Sequence, residues 1–140
     1  MIRPATPNDA ARLAELSGQL GYAVEPAALA PRLSRILSDP DHTLLVAEEA
    51  GRVEGWIHAF RTLNLESAGR AEIGGLVVDE AMRSRGLGAA LMAAVETWAR
   101  GLGLAGVRLR SRVQREGAHA FYHRLGYEEV KRQVVLQKPL

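Results

Sequence analysis

Ile73-Gly74-Gly75-Leu76-Val77-Val78-Asp79-Glu80-Ala81-Met82-Arg83-Ser84-Arg85-Gly86-Leu87-Gly88-Ala89 decides the reading of this chain. Its first six residues are apolar and rich in β-branched side chains, the pattern of a buried strand, and the run stops at Asp79-Glu80. After the turn, Leu87, Leu91, Ala94, Val95 and Trp98 fall on one helical face, and Gly101 is placed to cap that helix. A glycine-rich turn that opens a helix collects unpaired backbone N–H groups at the positive end of the helix dipole, the arrangement that holds phosphate. Arg83 and Arg85 add charge that a helix cap does not need. The stretch therefore reads as strand, phosphate-binding turn and helix.

The kind of phosphate ligand is narrowed by what the turn lacks. It has no Gly-Lys-Ser/Thr ending, so it is not the loop of a metal-bound nucleoside triphosphate. Nor does it have the three-glycine spacing of a dinucleotide site, and no second βαβ half follows.

Outward from this stretch the chain is short and regular. Its 140 residues suit one domain, 1–140, with a core of its own. Ile2-Arg3-Pro4 reads as a strand, and Thr6-Pro7-Asn8-Asp9 opens a helix running to about Leu20 with Leu13, Leu16 and Leu20 inward. A second helix spans Pro26 to Ser38, with Leu29, Leu33, Ile36 and Leu37 inward and Pro31 as a kink or restart. Asp39-Pro40-Asp41 is a turn, Thr43 to Glu48 and Val53 to Thr62 are strands, and Leu63 to Gly69 is a loop before the strand Arg70 to Val78. Past the central helix, Gly103 to Gly106 connects to a strand Val107 to Arg110, and Ala118 to Leu125 is helical. Tyr127 to Val130 and Gln133 to Lys138 read as two final strands. The order is β-α-α-β-β-β-α-β-α-β-β, which implies an α/β fold with a mixed, mostly antiparallel sheet and helices on both faces.

Composition excludes several classes. With no cysteine there is neither a disulfide framework nor a cysteine nucleophile. No apolar run reaches the length of a membrane span, and Met1-Ile2-Arg3-Pro4 does not begin a signal peptide, so the expected compartment is the cytoplasm. A net charge of +2 with dispersed arginines and 5% aromatic residues disfavours nucleic-acid binding. His119 and His123 are four apart in a helical pattern but lack the Glu of a His-Glu-x-x-His zinc site, so no metal is expected.

Two motifs carry a resemblance. Arg83-x-x-Gly86-x-Gly88 resembles the (Gln/Arg)-x-x-Gly-x-(Gly/Ala) signature of the GNAT family of N-acetyltransferases, and Ala118-x-x-Phe121-Tyr122-x-x-x-Gly126-Tyr127 resembles that family's Ala-x-x-Phe-Tyr-x-x-x-Gly-Phe pattern. The element order matches as well, so the resemblance covers essentially the whole chain. It implies acetyl-coenzyme A (acetyl-CoA) as co-substrate. The N–H groups from Ser84 and Arg85 through Gly86, Leu87, Gly88 and Ala89 would meet its pyrophosphate. The backbone of Leu76, Val77 and Val78 would pair with its pantetheine arm in a slot where two parallel strands splay.

For the chemistry, Glu72 stands in an apolar strand as Ala71-Glu72-Ile73, a context that resembles the family's histone-acetyltransferase branch, where this glutamate is the base. The alternative is an exposed carboxylate at the strand edge. Gly74 and Gly75 leave room for a substrate to approach the backbone. Tyr122 takes the place of the family tyrosine that protonates the departing thiolate, with Phe121 expected in the core. Many family members carry asparagine where this chain has Arg115; arginine cannot accept as a helix cap, though it can contact a phosphate or a pantetheine carbonyl.

On the acceptor side the resemblance points to Tyr22 and Glu25 between the first two helices, and to Trp56 and His58 on a nearby strand. Glu25, Glu66 and Asp79 could favour a cationic amine, but each also reads as solvated surface. The expected function is transfer of an acetyl group to a primary amine of a small molecule or peptide by direct attack in a ternary complex. A catalytically silent acyl-CoA sensor is the alternative. A homodimer is usual in the family, and no feature of the sequence shows one.

Overall fold

Short runs of apolar and β-branched residues form β1 (Ile2–Pro4), β2 (His42–Glu49), β3 (Arg52–Arg61) and β4 (Ala71–Val78), and successive side chains of each strand point to opposite sides of a sheet. In the computed structural model, which describes residues 1–140, these strands pair in the order β1-β2-β3-β4-β5, with β5 limited to Val107–Arg108. The first four pair antiparallel, and β5 joins β4 in parallel after the crossover through helix α3 (Leu87–Gly101). This is the mixed α/β sheet that the sequence pattern implies.

Two units are distinguished, Met1–Leu109 and Arg110–Leu140. In the first, helices lie on both faces of the sheet. On one face, Leu13 and Leu16 of α1 (Ala10–Gln19) and Leu33 of α2 (Pro26–Ser38) are buried with Leu44, Val46 and Val77, and Trp56 packs against them. On the other face, Gly55 lets α3 come close: a Cβ there would lie 3.4 Å from Leu91 Cδ1. Leu91, Met92 and Val95 of α3 are fully buried, as is Ile57 of β3. Burying a side chain of this size contributes roughly 1.5–3 kcal/mol, so this layer supplies much of the unit's cohesion.

Several local expectations are refined. Pro31 stays inside α2; it removes the bond to the Ala27 carbonyl, and both residues lie on the exposed side, where water replaces it. Gly101 is the last helical residue of α3 rather than its cap, and the helix closes one turn later through Gly103 N–H to Arg100 O and Leu104 N–H to Ala99 O. β5 ends at Arg108, two residues sooner than expected.

The second unit contains α4 (Glu116–Arg124). Gly126, at φ +93°, ends it with Gly126 N–H bonded to His123 O and Tyr127 N–H to Tyr122 O, the paired closure that glycine permits after a helix. The two strands expected at Tyr127–Val130 and Gln133–Lys138 do not form. No ladder pairs with these residues, and a strand exists only where a neighbour takes its N–H and C=O groups; Val134, Val135 and Leu136 are exposed there.

Candidate functional site

The site begins where β4 loses its neighbour. β5 meets β4 only through Ala71 with Val107 and Glu72 with Arg108, so the edge of β4 from Ile73 to Val78 has no strand beside it. Asp79 N–H donates to Glu54 O at 2.7 Å, continuing the β3–β4 ladder in which Val78 opposes Gly55 and Val77 opposes Trp56. Groups in an antiparallel pair alternate in direction, so Val77 faces β3, and Leu76 and Val78 turn their N–H and C=O groups to the open edge. Of the three residues expected along a pantetheine arm, these two have the backbone orientation to pair with it.

The turn that follows is built by backbone strain. Ser84 and Gly86 both have positive φ, +67° and +81°. Glycine adopts this conformation without cost, and it is uncommon for serine. A Cβ at Gly86 would meet nothing within 4 Å, so its glycine is required by the backbone angle and the space above it is open. The first bond of α3 runs from Ala90 N–H to Gly86 O at 3.0 Å, and no side chain caps the helix. Leu87, Gly88 and Ala89 thus begin α3 with N–H groups that have no intrahelical acceptor. Arg83, Ser84 and Arg85 are exposed beside them. Open edge and N–H-rich turn together fit a pantetheine arm ending in a pyrophosphate.

Helix α1 fixes this junction. Arg12 donates from Nε to Val53 O at 2.7 Å and from Nη2 to Glu54 Oε2 at 3.3 Å and to Asp79 Oδ2 at 2.6 Å. Asp79 also accepts from Ala81 N–H at 2.9 Å, and Glu80 N–H donates to Gln19 Oε1 at 3.0 Å. The Arg12 guanidinium, then the Ala81 N–H, hold the Asp79 carboxyl below the usual carboxylate range. Asp79 is thus a buried tether of the turn and not a surface charge.

The acceptor-side residues divide. Glu72 is buried, with 5% of its surface exposed, which excludes the exposed-edge alternative. It opposes Phe60 and shares that sheet face with His58, Trp56 and His42. Gly74 is the extra residue of a bulge: His58 opposes Gly75, and Ala59 opposes Ile73. Side chains fill the space over the two glycines. A Cβ at Gly74 would come 2.7 Å from His58 Nδ1, and one at Gly75 2.8 Å from Trp56 Cη2. The glycines seat these rings, which corrects the expectation of empty room above them, while the Gly74 backbone is itself exposed.

Leu20, at the end of α1, lies 3.9 Å from the same Gly75 Cβ position, so the α1–α2 loop starts over this patch. Tyr22 and Glu25 in that loop are exposed; Glu25 caps α2 through its carbonyl, which accepts from Ala28 and Leu29 N–H at 3.0 Å each. Glu66, in the loop before β4, is exposed.

His42 was not singled out by sequence reasoning. Its Nδ1 lies 2.9 Å from His58 Nε2, and the two rings stack with centroids 5.2 Å apart. Burial, followed by the nearby His42, pushes His58 down to about 4, so it is neutral at physiological pH. The signal for the pair was the antiparallel register, which sets His42 opposite Phe60 and Leu44 opposite His58.

In the second unit, Tyr122 is half-buried against Phe121 and Tyr127, with ring centroids 5.1 Å and 6.2 Å away. Burial raises its hydroxyl pKa and Arg115 opposes this, leaving a protonated donor at neutral pH. Phe121, expected in the core, is half-buried too. Arg115 occupies the N-cap of α4 and makes no side-chain cap bond, as its lack of an acceptor requires.

Comparison with known proteins agrees with this geometry. The chain is 32% identical to aminoglycoside N(6')-acetyltransferase type 1 of Stenotrophomonas maltophilia, over 99% of this chain and 93% of that protein. It shares its fold with AAC(6')-Iy, solved in complex with the bisubstrate analog CoA-S-monomethyl-acetylneamine, at TM-score 0.88 and 22% identity over 100% of this chain and 98% of the other. A transcriptional regulator from Bacillus halodurans C-125 is equally similar in fold, at TM-score 0.88 and 24% identity over 99% of both chains. Fold likeness alone therefore does not separate these activities. The acetyltransferase (GNAT) family matches residues 10–127, across the open edge, the turn and α4. The chain belongs to the acetyltransferase (GNAT) family.

Proposed function

We propose that this protein transfers the acetyl group of acetyl-CoA to a primary amine of a small cationic molecule, with an aminoglycoside 6'-amine as the leading acceptor. The observation that carries the reading is the open edge of β4 running into a turn whose N–H groups lie at the start of α3. The acceptor class is supported by the Stenotrophomonas maltophilia relative, which matches nearly the whole chain. The family match spans residues 10–127, a range that includes Glu72, the turn from Arg83 to Ala89 and Tyr122.

Acetyl-CoA supplies a thioester, activated for attack by an amine. The chain's residues do the rest. The Leu76 and Val78 backbone orients the arm, one of these N–H groups polarises the thioester oxygen, and the turn from Arg83 to Ala89 holds the pyrophosphate. Arg115 adds a contact to the cofactor. Glu72 draws the proton from the amine, and Tyr122 gives a proton to the leaving thiolate. Tyr22, Glu25, Trp56 and His58 form the acceptor side, with Glu25 favouring a cation. Without cysteine, attack is direct in a ternary complex. No helix is long and apolar enough to cross a membrane, and we assign the work to the cytoplasm.

Thiol release from acetyl-CoA, measured with kanamycin, spermidine, amino acids, an arylamine and a lysine peptide, tests the reading. Release with kanamycin above the others is expected. Calorimetric binding of CoA with release from none of the amines would replace it by the sensor reading.

A further inference from the structure

A buried carboxylate that takes a proton in each turnover must pass it on before the next. Glu72 is such a group under the function proposed above, on which this inference rests, and the same sheet face carries a route outward. His58 lies two residues before Phe60, the residue opposite Glu72. Its Nδ1 faces the bulge at Gly74, whose backbone is exposed, and its Nε2 lies 2.9 Å from His42 Nδ1. His42 has 30% of its side chain exposed, and its Nε2 lies 3.8 Å from Asp39 Oδ2. Phe60 packs against both rings: it stacks on His42 with centroids 5.5 Å apart and lies tilted to His58 at 5.8 Å. Two imidazoles in line, one beside the bulge and one beside a surface carboxylate, make a conduit along this sheet face.

We propose that His58 and His42 form the proton exit of this site. The shared proton rests on His58 Nε2, leaving the Nδ1 lone pair facing the bulge. The proton held by Glu72 passes to His58 Nδ1, forming an N–H bond there as the Glu72 O–H bond breaks. His58 releases its Nε2 proton to His42 Nδ1, and His42 releases its own Nε2 proton to water beside Asp39. One proton has left the site, and each ring has exchanged one nitrogen-bound proton for the other. The rings return to their first tautomer by proton exchange with water when the acceptor has left. A relay of this kind needs a neutral ring that gives up a proton readily, and the burial of His58 favours that form.

The test replaces His42 by Phe, which keeps a ring in the stack and removes both nitrogens. With kanamycin as acceptor, His42→Phe is expected to lower kcat about tenfold, less than the roughly 100-fold or more of a group that moves the proton in the transition state itself. KM for kanamycin and the calorimetric Kd for CoA stay within about twofold, since no binding contact is lost. Imidazole added to the variant restores most of the lost rate, which a merely structural role for His42 would not allow. Independently of turnover, 15N NMR of the wild-type protein shows coupling between His58 Nε2 and His42 Nδ1 through the shared proton. An unchanged kcat in His42→Phe, or no such coupling, overturns the relay while leaving the acetyltransferase reading intact. A wild-type protein that acetylates no amine overturns that reading and the relay with it.

Discussion

The two halves of the proposed site in the first unit are made from different materials. The proposed cofactor side is backbone: the open edge of β4, the positive φ angles at Ser84 and Gly86, and the N–H groups at the start of α3. The proposed acceptor side is made of side chains, with Glu72, His58 and Trp56 on one face of the sheet, where glycines and a bulge in β4 seat the two rings. Backbone recognition suits a ligand whose pyrophosphate is always the same. A side-chain face suits an acceptor that differs between relatives, since it changes by substitution without disturbing the ladder. Under the proposed function, backbone conformation selects the cofactor and side-chain chemistry selects the acceptor.

Tyr122→Phe gives the largest expected change. Removing the hydroxyl deletes the proposed acid and keeps the ring, so kcat falls about 100-fold while the Kd for CoA is unchanged. Equal losses in both would move Tyr122 from chemistry to binding. Arg12→Ala comes next, because it leaves Glu54 and Asp79 buried without their shared cation. A drop in Tm of about 10 °C is expected in thermal melts, with weaker CoA binding because the turn loses its tether. A Tm within a degree or two of wild type would show that the junction is held by the ladder alone.

Gly86→Val sharpens the backbone half of the comparison. A β-branched residue resists φ near +81°, at roughly 1–2 kcal/mol, so the Kd for CoA rises about tenfold by calorimetry. The KM for the amine stays near its original value. Equal effects on both ligands would mean the two sides are not independent.

At neutral pH the smallest effect is that of His58 on stability, which grows only as the pH falls. The folded pKa of His58, about 4, lies below the unfolded value of 6.5, so the unfolded chain binds more protons between them. The stability this group contributes is complete above pH 6.5 and is lost as the pH falls toward 4. Urea midpoints at pH 7 and pH 4.5 are expected to differ more in wild type than in His58→Phe. Equal differences would show that His58 titrates normally in the folded state.

What the sequence disclosed follows the same division. The turn could be read directly because a glycine at a helix start has few structural reasons, and strand, turn and helix stand consecutively from Ile73 to Gly101. Gly126 closing α4 was legible for the same reason. The His42–His58 pair was hidden because the two residues come together only through strand register, and the bulge at Gly74 shifts that register beyond His58. Asp79 looked like surface because its partner Arg12 is 67 residues away in sequence. The last two strands were expected from local pattern, but pairing is not a local property: the apolar run Val134-Val135-Leu136 has no ladder to join.

The central claim is that the open edge and its turn hold acetyl-CoA for attack by an amine. The most direct measurement is thiol release from acetyl-CoA with kanamycin, alongside calorimetric titration of CoA in the wild type and in Gly86→Val. Kanamycin-dependent release, with the variant binding CoA about tenfold more weakly, is the predicted result. CoA binding of equal strength in both proteins, with no amine-dependent release, would contradict it.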